Sequence, residues 1–205
     1  MKYTGPKSRR CRRQGTNIYG SDKYDKILQK KPQAPGKGPR ARLGRKSEYA
    51  QQLGEKQKVR DIYGLSERQF RNMYEEASAS MGQTGEIFKQ LLERRLDNAI
   101  YRAGFALTRM QARQFVSHGH FSVNGQKVTV PSFRLRAGDA VEMRPKSKSS
   151  PVFGPIAEAH EKYMPPAWMK VNSSAMKIEI VAVPDQKSAE QAIDMRQVIE
   201  FYSRK

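Results

Sequence analysis

Cysteine is almost absent from this sequence, since Cys11 is the only one among its 205 residues. A single thiol excludes an internal disulfide and a zinc site built from several cysteines. Long apolar runs are absent too: none approaches the ~18 residues needed to cross a bilayer, and the N-terminus lacks the apolar stretch of a secretory signal. We therefore expect a cytoplasmic protein without a membrane partner.

Acidic residues are scarce. Lys and Arg number 39 against 20 Asp and Glu, which gives a net charge of +19. So large a charge of one sign repels itself in a compact chain unless a polyanion neutralises it. Nucleic acid is the first candidate for that polyanion, and an acidic membrane surface is the second. Hydrophobic residues make up only 37% of the chain, so we expect a modest core.

The positive charge is unevenly distributed along the chain. Residues 1–46 carry +13, residues 47–92 carry −1, residues 93–145 carry +5 and residues 146–205 carry +2. Solubility alone would not need such segregation, whereas an extended surface in contact with RNA would. The charge pattern therefore favours RNA among the polyanions.

The basic segment at residues 1–44 lacks hydrophobic periodicity and is interrupted by glycine and proline. Such a segment cannot bury enough apolar area to offset the entropy lost on ordering. We predict an extended basic arm that orders only against RNA. A disordered tail that aids solubility is the alternative.

Helical patterns follow the arm. A helix is predicted over residues 49–62, and Ser66 with Gln69 forms a capping box for the next one. Its apolar stripe occupies residues 70–81, and a further helix with an apolar stripe is predicted over residues 84–103. We interpret these stripes as core and assign them no chemistry.

A short helix and a hairpin are predicted next. Thr108 and Gln111 form a second capping box, and the helix that they open ends at Gly119. Asn124-Gly125 between alternating apolar residues indicates a tight hairpin, because both turn residues need a positive φ. The side chains expected to face inward are Ala112, Phe115, Val116, Phe121, Val123, Val128 and Val130.

The last third of the chain adds strands and a helix. A strand is predicted at Val141 and Met143, and residues 146–167 indicate an irregular connection with one helical turn around residues 157–163. Residues 177–183 alternate as a strand, and residues 188–202 have the apolar spacing of a helix. The predicted class is α+β, with an extended basic N-terminal arm, an all-helical domain, and a module of two helices with a small, mostly antiparallel sheet.

Catalytic motifs are missing. The sequence has no phosphate-binding loop and no dinucleotide-binding glycine motif. His118 and His120 could ligate a metal, but no cysteine or further histidine supports them, so we interpret them as closing a helix-to-strand corner with an RNA contact. Asp97 and Asp139 are better explained by ion pairing or turn capping than by acid–base chemistry. We therefore expect no enzyme, no metal and no cofactor.

Basic residues recur between positions 109 and 136. Arg109 and Arg113 stand one helical turn apart, so their guanidiniums can bind successive phosphates. Lys127 follows the hairpin turn, and Arg134 and Arg136 alternate beyond it. The alternative is a solvated face with weak ion pairs, for which acidic partners are too few here. We predict that the helix and the hairpin present one basic face to RNA.

A series of short motifs runs through residues 92–143. They are Arg95-Leu96-Asp97-Asn98, Gly104-Phe105-Ala106, Thr108-Arg109, Gln111-Ala112-Arg113-Gln114, His118-Gly119-His120, Val123-Asn124-Gly125, Pro131-Ser132 and Gly138-Asp139. This series closely resembles the S-four RNA-binding domain family. The runs at residues 3–6, 11–15, 55–58, 63–70 and 198–204 resemble the family of bacterial small-subunit ribosomal protein four, so the resemblance covers nearly the whole chain.

The resemblance implies a structural protein of the small ribosomal subunit. It implies direct binding to 16S rRNA at a helix junction near the 5′ end, nucleation of assembly of the 30S body, and a contribution to translational accuracy with neighbouring proteins five and twelve. Further partners that it implies are mRNA near the channel through which mRNA enters and, in some bacteria, the mRNA of its own operon.

The resemblance also implies the domain organisation. A basic arm at residues 1–44 precedes a helical domain at residues 45–92, which a C-terminal helix at residues 188–205 completes. The S-four domain with an added strand region, residues 93–187, lies between them. Some family members bind zinc through an N-terminal cysteine cluster, but here Cys11 is alone and Ser8 occupies the partner position. A zinc-free variant is therefore expected.

The basic pattern and the resemblance together predict the residues that contact RNA. They are Arg9, Arg10, Arg12, Arg13, Lys56, Lys58, Arg68, Arg71, Arg95, Thr108, Arg109, Gln111, Arg113, Gln114, His118, His120, Asn124, Lys127, Arg134 and Arg136.

Two other functions are open at this point. Pseudouridine synthases also carry S-four domains, but such an enzyme needs a large catalytic domain with an active-site Asp, for which residues 146–205 are too few. A stress-related binder of stalled ribosomes or free RNA would resemble the S-four domain alone, so residues 1–90 argue against it. An organellar rather than bacterial origin is also open.

Overall fold

The computed structural model describes residues 3–36, 38, 45–148, 150–153, 164–184 and 193–204. Its contacts divide the chain into two compact units. The first comprises Met1–Gly85 and Gln191–Lys205, and the second comprises Glu86–Glu190. Helices occur in both units and an antiparallel sheet occurs in the second, so the predicted α+β class is confirmed.

The helices and strands follow one another along the chain as follows. Among the described residues, the helices are α1 (Lys7–Gln14), α2 (Asp22–Lys30), α3 (Glu48–Ile62), α4 (Glu67–Ala79), α5 (Thr84–Glu93), α6 (Leu96–Arg102), α7 (Arg109–Ser117), α8 (Pro145–Lys148) and α9 (Met195–Ser203), with a 3-10 turn at Pro151–Phe153. The strands are β1 (Phe121–Val123), β2 (Gln126–Lys127), β3 (Ala140–Met143), β4 (Met169–Asn172) and β5 (Lys177–Ile180).

Helices α1 and α2 occupy the segment for which the sequence predicts an extended arm. Cys11 is buried on α1, and Ile18 is buried in the connection to α2. The side-chain amide of Gln14 donates a hydrogen bond of 3.2 Å to the carbonyl of Gly54 on α3. Arg10 forms an ion pair with Asp61 in the last turn of α3. These contacts join residues far apart in sequence, and therefore no local pattern predicts them.

The C-terminal helix α9 packs against α3 within the first unit. Val198 is fully buried, and Gln52 of α3 donates a hydrogen bond of 3.1 Å to the carboxylate of Glu200. The hydroxyl of Tyr202 donates a hydrogen bond of 2.9 Å to Glu67 at the start of α4. A helix of this length is marginal alone in water, so these contacts hold it in place.

Glu67 joins three helices of this unit. Its carboxylate accepts hydrogen bonds from Lys56 at 2.6 Å and Arg60 at 2.8 Å, both on α3, in addition to Tyr202 of α9. Burial alone would raise the pKa of Glu67, but the hydrogen bonds from Lys56 and Tyr202 outweigh it and leave the pKa below its ordinary value. Glu67 therefore stays ionised at neutral pH and holds both cations.

The second unit is built on the sheet. Within its described residues the five strands are all antiparallel, in the order β2-β1-β3-β5-β4. Val123 pairs with Val141, and Val141 pairs with Ile178 on the next strand, so apolar side chains line up across the sheet. The helices α6 and α7 supply the other side of the core. Its fully buried residues include Leu96, Ala99, Ile100, Phe105, Ala112, Val116, Phe121, Leu135, Val141 and Ile178.

Three features differ from the sequence predictions. Residues 84–103 form two helices, because Arg95 takes an extended conformation and pairs with Arg134 in an isolated bridge. Val130 is 53% exposed and does not face inward. Met81 is fully exposed, since α4 ends before it.

The strands predicted in the last third of the chain agree with the structure in part. Strand β5 ends at Ile180, three residues short of the prediction, and β4 was not predicted at all. The helical turn predicted around residues 157–163 and the first residues of the predicted C-terminal helix lie outside the described residues.

Shortening the buried side chain of α9 tests its role. Val198→Ala should lower the free energy of unfolding by about 1–3 kcal/mol, because it removes fully buried apolar atoms and leaves a cavity. Urea unfolding followed by circular dichroism measures this change. Arg196→Ala on the exposed side of the same helix is the control, with an expected change within about 0.5 kcal/mol. Equal effects of the two substitutions would contradict the packing of α9.

Candidate nucleic-acid interface

Helix α7 is held by its own capping residues. The hydroxyl of Thr108 accepts a hydrogen bond of 3.2 Å from the backbone N–H of Gln111, and the side chain of Gln111 accepts one of 2.9 Å from the N–H of Leu107. Phe115 and Val116 are buried on its inner side. Thr108 and Gln111 therefore fix the start of the helix, although Gln111 bonds to the N–H before the cap and not, as in the predicted capping box, to that of Thr108 itself.

Asp97 is the centre of an arginine cluster. Its buried carboxylate accepts two hydrogen bonds from Arg95, at 3.0 and 2.8 Å, and lies 3.7 Å from the guanidinium of Arg113 on α7. This bidentate geometry is the strongest form of an arginine–carboxylate pair. Arg95 is only 3% exposed and its guanidinium is bonded to Asp97, while its predicted contact with RNA stays a prediction.

Arg109 is oriented by the neighbouring residue of α6. Its Nε donates a hydrogen bond of 2.9 Å to the side-chain carbonyl of Asn98, and its guanidinium lies 4.4 Å from the centre of the Tyr101 ring. Asn98 is itself buried and donates a hydrogen bond of 2.8 Å to the carboxylate of Glu93. Glu93 also accepts two hydrogen bonds of 3.1 Å from Arg102.

This inner network of Glu93, Asn98 and Arg102 is not predicted from the sequence. No local pattern marks Glu93, Asn98 and Arg102 as partners. Their spacing brings the three side chains together only because α5 and α6 are separated at Arg95. The interpretation of Asp97 as an ion-pairing residue is confirmed.

The hairpin turn has the predicted geometry. Asn124 and Gly125 both take positive φ, 49° and 80°. The side chain of Asn124 donates to Asp139 and accepts from the backbone N–H of Ala140, each at 2.9 Å. Asp139 also accepts a hydrogen bond of 2.7 Å from the backbone N–H of Arg136. Asp139 therefore caps a turn, as predicted, and places Arg136 beside the hairpin.

Lys127 and Arg144 meet at the C-terminal end of α7. Gly119 has a φ of 74°, and a Cβ added there would lie 2.5 Å from Cε of Lys127, so the lysine side chain lies over this glycine. Arg144 donates a hydrogen bond of 3.2 Å to the carbonyl of Gly119. Cations are favourable at a helix C-terminus. The sequence does not predict a role for Arg144, which only adds to the net positive charge of residues 93–145.

The two histidines occupy the corner between α7 and β1. His118 is exposed, whereas His120 is half-buried and lies 3.0 Å from the hydroxyl of Ser147. Burial first, and then His118 and Arg144, lower the pKa of His120. The described residues include no group of three or more His, Cys, Asp or Glu that could hold a metal.

The residues of the first unit that are predicted to contact RNA differ in their exposure and in their bonding partners. Arg9, Arg13 and Arg68 are exposed. Arg71 is exposed and pairs with Glu75, Lys58 pairs with Glu55, Arg10 pairs with Asp61, and Arg12 donates to two backbone carbonyls. Lys56 is 7% exposed and bonded to Glu67, and its predicted contact with RNA stays a prediction.

The other residues of the second unit that are predicted to contact RNA differ in their exposure. Gln114, Lys127, Arg134 and Arg136 are exposed, and Arg109 and Arg113 are half-buried. The contacts described above bring Arg109, Arg113 and Arg134 together around residues 95–98, whereas Lys127 lies at the far end of α7. The geometry therefore shows a cationic cluster at the start of α7 and a second one at its end.

Cys11, the one cysteine of the sequence, is buried. It is 1% exposed, and this burial raises its pKa, so it is a poor nucleophile and metal ligand. Among the described residues no helix is both long enough and apolar enough to span a membrane.

Comparison with known proteins covers both units. Residues 2–93 match the family model described as the ribosomal protein S4/S9 N-terminal domain, and residues 94–141 match that of the S4 domain. The chain is 45% identical over 206 residues to the small ribosomal subunit protein uS4 of Roseiflexus castenholzii, covering 99% of both chains. It is 44% identical over 207 residues to the uS4 protein of Thermus thermophilus, again over 99% of both. The uS4 protein of Cutibacterium acnes is 43% identical over 203 residues and 99% of both chains.

Neutralising Asp97 tests the arginine cluster. Asp97→Asn should lower the free energy of unfolding by about 3–5 kcal/mol, because it leaves the buried guanidinium of Arg95 without a counter-charge. Chemical unfolding of the full chain measures the change. Glu75→Gln, which breaks an exposed pair with Arg71, should cost less than about 1 kcal/mol. An Asp97→Asn variant as stable as this control would show that the pair does not organise the unit.

Proposed function

The chain belongs to the ribosomal protein S4 family, and on this premise we propose that it is a constituent of the small ribosomal subunit that binds 16S rRNA directly. Proteins of this family are structural, and the chain is not an enzyme. The observation that carries the proposal is the cationic cluster around Asp97, since it lies within the S4 domain and brings the guanidiniums of Arg95 and Arg113 together beside Arg109.

The cluster has the chemistry that a phosphate backbone requires. One carboxylate, Asp97, faces Arg95 and Arg113, and Arg109 is anchored on the neutral amide of Asn98. Structured RNA is bound chiefly through its shape and its phosphates, and preoriented guanidiniums suit that purpose because little entropy is lost on binding.

The proposed contact surface is defined by the residues that the fold leaves at least partly accessible. Arg109, Arg113 and Arg134 form its first part, and Lys127, His118 and Arg144 form a second part at the end of α7. Arg136 and Gln114 extend it, while Thr108, Gln111 and Asn124 support it by fixing the helix and the hairpin. In the first unit, Arg9, Arg13 and Arg68 are separate candidates for contact with RNA.

The finer role is proposed from the family resemblance. We propose that the chain nucleates assembly of the 30S body, since two folded units with basic residues can engage more than one rRNA element. Contacts with neighbouring proteins five and twelve, through which it would contribute to translational accuracy, belong to the same proposal. So do a contact with mRNA as it enters and, where autoregulation operates, binding of its own operon mRNA.

The other two functions fit the comparisons less well. The uS4 relatives align over 99% of the chain, and residues 2–93 match a ribosomal family model. A pseudouridine synthase needs a catalytic domain for which this alignment has no room, and a binder that resembles the S4 domain alone would not match residues 2–93.

Removing the two arginines of α7 tests the proposal. Arg109→Ala with Arg113→Ala should weaken binding to a junction fragment of 16S rRNA by about 1–3 kcal/mol for each arginine removed. The dependence of log affinity on log salt should become shallower by about one unit for each phosphate that is no longer bound. A salt titration of the fragment with purified protein measures both quantities.

Three controls accompany this titration. Circular dichroism must show that the double variant is folded, since Arg109 and Arg113 also contact α6. Arg196→Ala, an exposed arginine of α9, should leave affinity and slope unchanged. Arg113→Lys should retain the salt slope but lose affinity, because lysine keeps the charge without the planar fork. A folded double variant with the affinity and slope of the wild type would overturn the proposed surface.

A further inference from the structure

Phe133 is an aromatic side chain that the fold leaves partly in water. It is 38% exposed, although Leu135, two residues later, is fully buried in the core of the same unit. Val130, at the other end of the same turn, is 53% exposed. Two apolar side chains thus share an exposed turn that leads directly into Arg134 and Arg136.

The backbone that carries Phe133 is fixed. The N–H of Phe133 donates a hydrogen bond of 3.1 Å to the carbonyl of Val130, and its carbonyl accepts one of 2.8 Å from Leu96. On either side of it, Pro131 accepts from Asp97 at 3.2 Å and Leu135 donates to Arg94 at 2.9 Å. The ring is therefore presented from a rigid support, and exposure here does not result from a loose loop.

The same hydrogen bonds place Phe133 beside the cationic cluster. Its carbonyl is bonded to Leu96, the residue between Arg95 and Asp97, and the next residue, Arg134, forms the bridge with Arg95. Asp97 in turn holds Arg113 of α7. An accessible ring on a rigid support, next to groups that suit phosphates, is the arrangement by which proteins stack on unpaired bases.

We infer that Phe133 is a stacking site for an unpaired nucleobase of the bound RNA, with Val130 packing against the edge of the same base or its ribose. This inference rests on the RNA binding proposed above and adds the class of nucleotide recognised. The surrounding arginines favour RNA over an apolar surface of another protein, because a protein partner would have to bury or neutralise Arg134 and Arg136.

Stacking and phosphate binding have different signatures. Phe133→Leu removes the aromatic face but no charge, so it should weaken binding of the rRNA junction fragment about tenfold and leave the salt slope unchanged. Phe133→Trp should restore the affinity. Tyr49→Leu, an exposed aromatic of the first unit, is the matched control and should have no effect.

A fluorescent base locates the stacked nucleotide. The adenine analogue 2-aminopurine is placed in turn at each unpaired adenine of the fragment, and its fluorescence falls when an aromatic ring stacks on it. One position should be quenched on binding wild-type protein and Phe133→Trp, and quenched less with Phe133→Leu at saturating protein. If the unpaired base is not an adenine, a fluorescent pyrimidine analogue replaces it.

The possible results separate the two levels of inference. A Phe133→Leu variant with unchanged affinity and quenching, beside a weakened Arg109→Ala, Arg113→Ala variant, overturns the stacking site and leaves the proposed function standing. Loss of affinity without any change in quenching also overturns stacking and assigns the ring to packing that supports the RNA surface. If neither variant weakens RNA binding, the proposed RNA surface itself fails.

Discussion

The buried ion pair between Arg95 and Asp97 fixes the geometry on which the rest of the second unit depends. It lies where α5 ends and α6 begins, and the extended conformation of Arg95 allows the bridge to Arg134. The same carboxylate of Asp97 orients Arg113. Buried ion pairs contribute little net stability compared with apolar packing, but breaking one is costly, and they can specify a single arrangement. Here the ion pair specifies the positions of Arg109 and Arg113 on α7 and of Arg134 in the segment before β3.

Basic residues serve two purposes in the protein. In the first unit Lys56, Arg60 and Arg10 form ion pairs with the carboxylates of Glu67 and Asp61, and these pairs connect α1, α3 and α4, while Tyr202 of α9 donates a hydrogen bond to Glu67. In the second unit Arg109 and Arg113 of α7 lie beside Asn98 and Asp97, and Lys127 and Arg144 lie at the C-terminal end of α7. Buried cations thus hold each unit together, and the accessible cations of the second unit, we propose, form a surface that binds phosphates. Exposed Phe133 adds an uncharged contact to that surface.

Local signals in the sequence were sufficient for several features. Ser66 and Thr108 cap helices as their spacing predicts, and Asn124-Gly125 forms the tight turn, because each feature depends on residues within four positions. Charge alone does not predict burial. Lys56 and Arg95 are buried against Glu67 and Asp97, and a burial that depends on tertiary contacts has no local signature. The helices at residues 7–30 are not predicted from the sequence, since α1 is joined to α3 through Arg10 and Gln14, and such long-range contacts have no local signature.

Arginine-specific chemical modification tests the central claim most directly. Phenylglyoxal modifies accessible guanidiniums, and mass spectrometry reports the extent at each site in the free protein and in the complex with the rRNA junction fragment. The proposed surface predicts that Arg134 and Arg136 are modified in the free protein and protected in the complex, whereas Arg196 is modified equally in both. Protection of Arg196 with unchanged modification of Arg134 and Arg136 would place the RNA on another surface and contradict the account.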